Sequence, residues 1–549
     1  MDIEQNSQCD VLIIGAGPVG LFLACELGSR GVSTIVVEER AGLVPHPKAN
    51  THNARSMEIY RQHGIALDLR DTGLPMDRAT DVAYFSRLFG HELHRVSLPS
   101  PRAAMEELRE PGTRWPSAEP QLRASQMVLE PLLFNRASSF ASVDIRFGWR
   151  ASAMVAKEDG VSVTITRGDE ENVRIEAGYV VGCDGGRSWT RRELAIPFIG
   201  DEGLKMEFLG GRMQATYFRA PKLLERFPHA DTWMHWIMHP QGRSILVLID
   251  PARHEFLLHY QLPSDQPTPD FGARLAAMAG EPMEFEIISG AEWRAGIGVV
   301  AEQYGRGRVL LAGDAAHLFT PTGGFGVNTG IEDAFNLGWK LALASRGAAG
   351  PALLDSYTAE RRPVAIRNTR YALELASGNG ACPVSPELDA DGPEGEATRA
   401  ETSRYLARFA RWEFDTPGIQ LGGRYDGSPV IVTEAGEPPV DSATQYVPSA
   451  LPGGRLPHMW MADGASLFDR LGQEFTLLVL GERGTFPAWT DAAKQAGVDL
   501  RIVAIPDLPE TRALYEADIL LVRPDNYVAW RGAADETALP LLMHAIGFA

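Results

Sequence analysis

The feature that most restricts the fold of this chain is a glycine motif between an apolar run and a helical segment, within residues 10–40. Three glycines stand in the spacing Gly-x-Gly-x-x-Gly, and they are Gly15, Gly17 and Gly20. In a strand–helix–strand unit the first permits a tight turn, the second lets a pyrophosphate approach the backbone, and the third lets the helix pack closely on the strand. A second apolar run ends at Glu38, where an acidic side chain can accept a hydrogen bond from an adenosine ribose. The segment therefore predicts a βαβ unit that binds a dinucleotide, with the positive end of its helix towards the phosphates.

The chain has 549 residues, which is too many for one hydrophobic core and predicts two or three domains. A formal net charge of −19 argues against a nucleic-acid partner, since such a partner favours a basic face. No apolar run reaches the roughly 18 residues of a membrane span, and the N-terminus lacks the basic start and apolar core of a secretion signal. The four cysteines form no CxxC pair and have no zinc-ligand spacing, so neither a disulfide framework nor a metal site is expected. These observations favour an enzyme of the cytoplasm.

The pattern of apolar and polar residues changes along the chain. From about 205 to 290 it alternates apolar and polar residues, as in SILVLID and FLLHYQL, and this predicts one broad β-sheet. Residues 328 to about 378 have a helical pattern again, which predicts one or more helices there. The segment Ser377–Ala397 is rich in proline, glycine and acids and is interpreted as an exposed linker. Beyond Leu456 strands and helices alternate again, which predicts a small separate α/β domain.

A second glycine-rich loop follows another apolar strand, in the stretch VLLAGDAAHLFTPTGGFGVNTGIEDAF from Val309 to Phe335. Glycine loses more backbone entropy on folding than any other residue, so four glycines between 323 and 330 need a physical reason. Thr329 and Glu332 have the spacing of a capping box, which predicts that a helix begins there. The loop would then present backbone N–H groups and the positive end of a helix to a flat, electron-rich ligand. The alternative is that these glycines only permit close packing.

A third motif, Asp-Gly-x-x-Ser-x-x-Arg, lies in VVGCDGGRSWTRREL at Asp184, Gly185, Ser188 and Arg191. With the three motifs in this order and at these distances, the chain resembles the single-component FAD-dependent aromatic hydroxylases. These are the group A flavoprotein monooxygenases, the family of para-hydroxybenzoate hydroxylase and phenol hydroxylase. The stretch LLVRPDNYVAWRG, residues 520–532, is similar to part of the C-terminal thioredoxin-like domain, without redox cysteines, of the phenol hydroxylase branch.

The resemblance implies an α/β fold with three parts: a Rossmann-like FAD-binding domain of the GR2 type, an inserted β-sheet substrate domain and a C-terminal thioredoxin-like domain. The implied FAD-binding ranges are 1–75, 112–200 and 290–376. The substrate domain would comprise 76–111 and 201–289, followed by the linker 377–400 and the C-terminal domain with its lead-in, 401–549. Similar C-terminal domains stabilise oligomers, so a homodimer or a larger homo-oligomer is expected.

The resemblance also implies a set of cofactor-binding residues. They are Gly15, Gly17, Pro18, Gly20, Glu38, Arg55, Gln126, Asp184, Gly185, Arg191, Gly313, Asp314, Pro321, Gly324, Gly326, Val327 and Asn328. In this family-based interpretation Arg55 and Gln126 contact the phosphate and ribityl regions, and Asp314 bonds the ribityl chain. Pro321 would line the substrate side of the flavin, and Gly326 would present backbone to its pyrimidine edge.

The activity implied is that of a single-component flavoprotein monooxygenase, an oxidoreductase that hydroxylates a phenolic aromatic substrate. FAD would be the resident cofactor, dioxygen a co-substrate, and NAD(P)H, with NADPH favoured, a transient reductant, because no second complete GxGxxG occurs. Hydroxylation would proceed through a flavin C4a-hydroperoxide, which is long-lived only in a dry pocket. The small aromatic substrate should be electron-rich, since the distal oxygen of that hydroperoxide is electrophilic.

Candidate substrate and catalytic residues come from two places in the chain. The strand TWMHWIMH offers Trp233, His235 and Trp236, of which the first two would share one face of the strand and the third the other. His235 could orient or deprotonate a phenol, or it could only pack within the sheet. Phenol hydroxylase has a carboxylate near the position of Asn50, where an amide cannot serve as a base, and His52 is the nearest titratable alternative. The catalytic candidates are therefore His52, His235 and Pro321.

Several alternatives remain open from the sequence. The same chemistry could act on a polycyclic or polyketide natural product, or insert oxygen next to a ketone in the Baeyer–Villiger manner. A flavin halogenase is disfavoured, because the WxWxIP signature is absent. A non-catalytic flavoprotein or scaffold would not need all three cofactor motifs. The sequence does not decide the substrate, the regiochemistry, the choice between NADPH and NADH, or the size of the oligomer.

Overall fold

The computed structural model describes residues 6–168, 171–201, 211–227, 232–240, 242–262, 270–482, 484–533 and 537–548. The strands in these ranges are β1 (Asn6–Ile14), β2 (Thr34–Glu38), β3 (Asp81–Phe85), β4 (Glu92–Val96), β5 (Val143–Phe147), β6 (Arg150–Ala156), β7 (Val161–Arg167), β8 (Glu171–Gly182), β9 (Phe198–Asp201), β10 (Gly211–Arg219), β11 (Thr232–Ile237), β12 (Ser244–Asp250), β13 (Glu255–Gln261), β14 (Glu286–Ala295), β15 (Gly298–Ala301), β16 (Gly305–Arg306), β17 (Val309–Leu311), β18 (His317–Leu318), β19 (Phe475–Leu480), β20 (Leu500–Ile505), β21 (Ile519–Val522) and β22 (Val528–Gly532).

The α-helices in the same ranges are α1 (Pro18–Ser29), α2 (Ala54–Gln62), α3 (Ala66–Thr72), α4 (Pro101–Glu107), α5 (Gln126–Ser138), α6 (Trp189–Glu193), α7 (Leu223–Arg226), α8 (Phe271–Ala279), α9 (Phe325–Ser345), α10 (Ala352–Gly380), α11 (Pro393–Phe414), α12 (Pro417–Leu421), α13 (Pro487–Ala496), α14 (Pro509–Tyr515) and α15 (Ala538–Ala545). None of the helices in the described ranges is long and apolar enough to cross a membrane.

The first sheet is built around the strand that precedes the N-terminal glycine motif. Its strands β17, β8, β1, β2 and β5 lie side by side in this order, and each neighbouring pair is parallel. Val11 and Ile13 pack into one hydrophobic cluster and Leu12 and Ile14 into another, because successive residues of a strand point to opposite faces. A strand buried on both faces needs the continuous apolar run seen in the sequence. The Rossmann-like arrangement predicted for this part is confirmed.

The second sheet confirms the broad β-sheet predicted from the alternating pattern after residue 205. Its order is β14-β10-β13-β12-β11-β3-β4, so residues 81–96 add two strands to its far side. All neighbouring pairs are antiparallel except β11 and β3, which are parallel. Phe271 and Leu275 of α8 pack in the hydrophobic core of this sheet.

The segment predicted as an exposed linker, 377–400, is instead folded against the second sheet. α10 continues to Gly380, a 3-10 turn covers Pro386–Asp389, and α11 begins at Pro393. Cys382 and Leu388 are buried in the core of that sheet. Proline here starts helical turns, since its fixed φ suits the first helical position, and it does not mark a free connection. The other domain boundaries remain predictions.

The C-terminal sheet has the order β20-β19-β21-β22, with β19 parallel to β20 and antiparallel to β21. Trp489 of α13 and Leu542 of α15 pack on it, in agreement with the thioredoxin-like domain expected. Buried ion pairs join it to the rest of the chain: Arg523 donates to Glu360 at 2.6 and 2.8 Å, and Lys340 donates to the same carboxylate at 2.6 Å.

Candidate active site

A cavity of about 1420 Å³ lies between the parallel sheet and the seven-stranded sheet. Its walls come from the two glycine loops, the DG motif, residues 37–51 and one face of the seven-stranded sheet. Usual small-molecule sites enclose roughly 300–1,000 Å³. The cavity is therefore large enough for more than one molecule.

The N-terminal glycine motif forms one end of this cavity. A Cβ on Gly15 would lie 2.4 Å from the Cys183 carbonyl oxygen, and one on Gly20 would lie 2.0 Å from the Gly15 oxygen. A Cβ on Gly17 would meet no protein atom within 4 Å. Gly17 is also the N-cap of α1, and no side chain caps this helix. Gly15 and Gly20 thus allow the chain to pack on itself, whereas Gly17 leaves the positive end of α1 open to an anion.

The Glu38 carboxylate lines the same end of the cavity and is fixed in place. It accepts hydrogen bonds from the Ala16 amide at 2.8 Å and from the Arg40 amide and side chain at 2.9 and 2.7 Å. Burial is the largest influence on its pKa and favours the protonated form, but the hydrogen bonds from Arg40 and Ala16 outweigh it and lower the pKa. The carboxylate is therefore charged at neutral pH and can accept a further hydrogen bond.

The second glycine loop turns the chain into α9 earlier than the capping box predicts. Gly323 and Gly324 both have positive φ, +79° and +66°, and the helix begins at Phe325. Thr329 and Glu332 lie inside the helix, so the predicted capping box is wrong. Their side chains bind α10 instead: Thr329 accepts a hydrogen bond from Asn368, and Glu332 pairs with Arg361. No side chain caps α9, and its N-terminus faces the cavity.

The glycines around this helix have different physical reasons. A Cβ on Gly330 would lie 2.6 Å from Val19, and one on Gly338 would lie 2.8 Å from Glu26, because α9 crosses α1 there. A Cβ on Gly326 would be 3.8 Å from the nearest neighbour, Phe319, and Gly326 lines the cavity. Close packing explains Gly330 and Gly338, whereas Gly326 leaves backbone exposed to the cavity.

Asp314 lines the cavity, and a buried polar cluster holds the preceding residue, Gly313. The Gly313 amide donates to Asp333 at 3.2 Å, and His317 and Arg361 bind the same carboxylate at 2.6 and 2.8 Å. The Asp314 side chain is exposed to the cavity but enclosed by protein. This enclosure raises its pKa, and electrostatic interactions with His317 and Lys48 partly oppose the rise.

These features fit a flavin dinucleotide. The cavity wall includes an uncapped helix N-terminus with open space above Gly17, the Asp314 carboxylate, and the uncapped N-terminus of α9 beside Gly326. Pyrophosphate, ribityl hydroxyls and an anionic ring edge are the groups that such partners bind. Gln126, Pro18, Asp184, Gly185, Pro321, Gly324 and Val327 line the cavity as well. No group of three His, Cys, Asp or Glu side chains suited to a metal occurs among the described residues.

Five predicted cofactor residues do not line the cavity: Gly20, Arg55, Arg191, Gly313 and Asn328. The Asn328 side chain ties segment 51–53 to the glycine loop, since it accepts from the Asn53 amide at 2.9 Å and donates to the carbonyls of Thr51 and Gly324 at 3.0 and 2.6 Å. It shapes the loop and does not contact the cavity.

The side chains of the two arginines in this group contact other parts of the protein and not the cavity. Arg55 pairs with Glu58 at 3.2 Å and donates to the Asp525 carbonyl at 2.6 Å, because the C-terminal domain covers it. The Arg191 guanidinium lies 3.9 Å from the ring centroid of Phe198. The cationic side chains that line the cavity were missed by the sequence analysis, and they are Arg40, Lys48, Arg150, Arg187 and Arg192. Arg187 and Arg192 stand within the DG motif, which is the sequence signal that could have found them.

The seven-stranded sheet presents a row of five residues to the cavity, one from each of five neighbouring strands. The row runs Ala291, Ala215, His259, Ile245 and Trp236. Directly paired residues share a face of the sheet. Met234, Val247 and Trp293 extend this mostly apolar wall.

Of the predicted substrate and catalytic residues, Asn50, Trp236 and Pro321 line the cavity. His235 does not: it is buried on the other side of β11, stacked between Phe85 and Phe227 with ring centroids at 5.5 and 4.1 Å. Burial lowers the pKa of His235 to about 3. The alternation along the strand was predicted, but the opposite face contacts the cavity.

The remaining two predicted residues, His52 and Trp233, also lie away from the cavity. His52 is fully buried, with its Nε2 3.2 Å from the Ala124 carbonyl oxygen, and burial lowers its pKa to about 4. Trp233 packs beneath the Arg123 guanidinium, whose central carbon is 4.6 Å from a Trp233 ring centroid. Neither side chain can contact a substrate in this arrangement, so these predictions are wrong.

Sequence reasoning missed several titratable residues of the cavity wall, among them His259 and Glu413. His259 stands in the alternating pattern FLLHYQL, which could have indicated it. Glu413 is at the end of α11, and its carboxylate accepts hydrogen bonds from the Gly323 amide at 3.3 Å and from Asn379 at 2.8 Å. Only the tertiary structure brings Glu413 beside a glycine 90 residues earlier, so no local pattern could reveal it.

Two family descriptions match this chain. The one described as FAD binding domain matches residues 8–372, and the one described as aromatic-ring hydroxylase, C-terminal, matches residues 449–546. The first match covers the parallel sheet and the inserted sheet. The second covers the thioredoxin-like part.

Comparison with individual proteins gives similar results. The FAD-dependent monooxygenase apdD of Emericella nidulans is 30% identical over 100% of this chain and 92% of its own length. A putative polyketide hydroxylase of Streptomyces halstedii is 32% identical over 98% of this chain and 96% of its own. The structure of the rebeccamycin biosynthetic enzyme RebC with reduced flavin superposes with a TM-score of 0.88 at 35% identity, over 99% of this chain and 100% of that one. These similarities extend through all three sheets described above.

Proposed function

Because this chain belongs to the family of FAD-dependent aromatic-ring hydroxylases, we propose that it hydroxylates an extended, electron-rich aromatic ring system that carries a phenolic hydroxyl. NAD(P)H is proposed as the reductant and dioxygen as the co-substrate. The reaction is thus an aromatic hydroxylation by a single-component flavoprotein monooxygenase. The homo-oligomer and the cytoplasmic location remain predictions.

The width of the sheet face that lines the cavity carries the choice of an extended substrate. The row from Ala291 to Trp236 spans five neighbouring strands. With roughly 4.8 Å between strands, four spacings give about 19 Å. A single benzene ring covers about one such spacing, so a simple phenol would leave most of this apolar wall without a partner. Several fused rings would cover it.

The geometry of the cavity supports a proposal for the residues that would hold FAD. The open N-terminus of α1 with Gly17 would bind the pyrophosphate, Glu38 the ribose, Asp314 the ribityl chain, and the N-terminus of α9 the pyrimidine edge of the ring. When bound, FAD supplies the activated oxygen for transfer to the substrate ring. These assignments are proposals that rest on position and donor chemistry.

The protein's own part in the reaction is electrostatic and steric. The N-terminus of α9 presents partial positive charge and backbone donors where negative charge would develop. Trp236, Met234 and Val247 form an apolar wall that excludes water from the substrate side. The five cationic side chains that line the cavity would attract the anionic phosphates of a dinucleotide, in a chain whose net charge is −19.

Turnover with aromatic rings of increasing size tests this function. The FAD-loaded protein is mixed with NADPH or NADH and with phenol, 2-naphthol or 2-hydroxyanthraquinone, and both nicotinamide oxidation and the products are measured. We expect the three-ring compound to accelerate oxidation most and to gain one hydroxyl group. Acceleration by phenol alone would contradict the extended substrate. A lactone product would indicate Baeyer–Villiger insertion, and equal slow oxidation with every compound would contradict the hydroxylase.

A further inference from the structure

Glu413 is a buried carboxylate in the cavity wall that the motifs do not assign. It is the second-last residue of α11 and is 8% exposed. The Gly323 amide donates to its Oε1 and the Asn379 side chain to its Oε2. Because Gly323 lies two residues before α9, this carboxylate stands beside the loop that leads into the helix facing the cavity.

Glu413 lies on the proposed substrate side of the cavity, next to the seven-stranded sheet. Its charge interacts with Tyr84, which is paired across the sheet with Trp236 and stacks on it with ring centroids 5.5 Å apart. Trp236 is the last residue of the row that lines the cavity. Glu413 therefore lies near the end of the face on which the aromatic substrate is proposed to bind.

The other polar groups near this end are less suited to accept a proton. Asn50 is an amide, and His52 and His235 are buried away from the cavity. His259 faces the cavity from the middle of the row. Glu292, also in the wall, is about half exposed and is paired with Arg212.

The charged and titratable groups that act on Glu413 come from three other elements. Arg123, from the segment before α5, is buried and donates to Thr51 at 2.8 Å. Tyr84 comes from β3 and Tyr371 from α10, and the charge of Glu413 raises the pKa of both phenols in addition to the larger effect of burial. Arg123 is the counter-charge that favours the ionised carboxylate.

We propose that Glu413 is the general base that accepts the proton of the substrate's phenolic hydroxyl, an inference that rests on the proposed aromatic hydroxylation. In this step the O–H bond breaks, its electron pair remains on the substrate oxygen, and the proton moves to a Glu413 carboxylate oxygen. The products of the step are a phenolate and a carboxylic acid. A phenolate ring is richer in electrons and reacts faster with an electrophilic oxygen.

The proton affinities of Glu413 and His259 agree with this role. Burial raises the pKa of Glu413, although hydrogen bonds from Asn379 and Gly323 and the charge of Arg123 oppose the rise. Burial lowers the pKa of His259 to about 4. A general base is most effective when its pKa approaches the operating pH. Glu413 thus has the more suitable basicity.

The first test compares pH profiles of kcat/KM for the FAD-loaded enzyme and its variants. Glu413→Gln keeps a hydrogen-bonding side chain of the same size but removes the base. We therefore expect kcat/KM to fall by roughly 10²–10⁴-fold. The acid limb of the profile, which is the decrease of kcat/KM at low pH, should disappear. Glu413→Asp should retain the acid limb at reduced rate. Glu401→Gln, an exposed position on the same helix, is the matched control and should behave as wild type. FAD content and circular dichroism establish that each variant is folded.

The second test needs no turnover. 4-Nitrophenol and 2-hydroxyanthraquinone change their visible absorption when the hydroxyl ionises, so each bound probe can be titrated with pH. A carboxylate beside the hydroxyl disfavours a second negative charge. The bound probe should therefore ionise at higher pH in wild type than in Glu413→Gln.

Equal ionisation in the two proteins would overturn the proposal. It would also be overturned if His259→Asn, and not Glu413→Gln, lost the acid limb. The failure of the proposed function looks different: wild type would then form no hydroxylated product from any aromatic compound. Normal turnover by Glu413→Gln would refute only the role of Glu413.

Discussion

Gly17 and Gly330 lie near the same cavity for different physical reasons. A Cβ on Gly17 would enter open space above the N-terminus of α1, whereas a Cβ on Gly330 would lie 2.6 Å from Val19. The backbone of Gly17, with φ −77° and ψ −178°, is one that any residue adopts. At the scale of single residues, absence of a side chain therefore means access for a ligand at one position and close helix packing at the other.

This difference gives a matched pair of variants. Gly17→Ala should leave the unfolding temperature of the FAD-free protein unchanged and weaken FAD binding, because the methyl group would occupy the space proposed for the pyrophosphate. Gly330→Ala should destabilise the FAD-free protein by about 1–3 kcal/mol through overpacking. Thermal unfolding and a fluorescence titration with FAD measure the two effects. A destabilised Gly17→Ala with normal FAD affinity would contradict the assignment.

His235 makes a prediction about acid stability. The unfolded chain takes up a proton at the ordinary imidazole pKa of 6.5, whereas the buried ring resists protonation until about 3. Stability is therefore lost as the pH falls below 6.5, by up to about 1.4 kcal/mol per pH unit for one group. His235→Phe, which keeps a ring between Phe85 and Phe227, should flatten this dependence. Urea unfolding of both proteins at pH 7 and pH 5 gives the change in the free energy of unfolding with pH. An equal change in wild type and His235→Phe would refute the prediction.

Strand β11 presents one face to the core of the sheet and the other to the cavity. Its register places Trp236 in the cavity and His235 in the core of the sheet, as the two-residue period of a strand requires. The row that includes Trp236 then continues across four more strands. The width of the proposed substrate face is thus a property of the sheet, and no single strand determines it.

The centre of this row can be filled by one substitution. Ala215 is paired with His259 on one side and with Ala291 on the other, so Ala215→Phe would place a ring in the middle of the face. We expect kcat/KM for the three-ring compound to fall much more than that for phenol. Ala291→Phe, at the edge of the row, should have a smaller effect. Equal losses for large and small rings would argue against a substrate that lies across the strands.

At the scale of the whole molecule, buried charges connect the C-terminal domain to the cofactor-binding part. Glu360 of α10 accepts hydrogen bonds from Arg523 and Lys340, and all three side chains are fully buried. Burial favours the protonated acid, but Arg523 and Lys340 outweigh it and hold the pKa of Glu360 far below its usual range. The two parts therefore depend on each other for the neutralisation of these charges.

Removal of this one charge should destabilise the molecule strongly. Glu360→Gln leaves Arg523 and Lys340 without their shared counter-charge, and breaking a buried ion pair typically costs about 3–5 kcal/mol. We expect a lower unfolding temperature and increased protease cleavage near the C-terminal domain. Glu434→Gln, which affects a partly exposed pair with Arg531, is the control and should change stability little. Equal stability of the two variants would contradict a structural role for the buried network.

The sequence by itself determined the parallel sheet, the broad inserted sheet, a small C-terminal α/β domain and the two glycine loops that line the cavity, because each depends on local periodicity or on glycine spacing. It placed Gly17, Glu38 and Asp314 at the cavity. It did not place His235, since a strand has two faces and only packing decides which one meets the cavity, and it did not place His52, which tertiary packing buries away from the cavity. It could not reveal Glu413, whose partner Gly323 is 90 residues away. Tertiary structure alone decided which side chains converge on the cavity, because convergence depends on how separate elements pack and not on the pattern within any one of them.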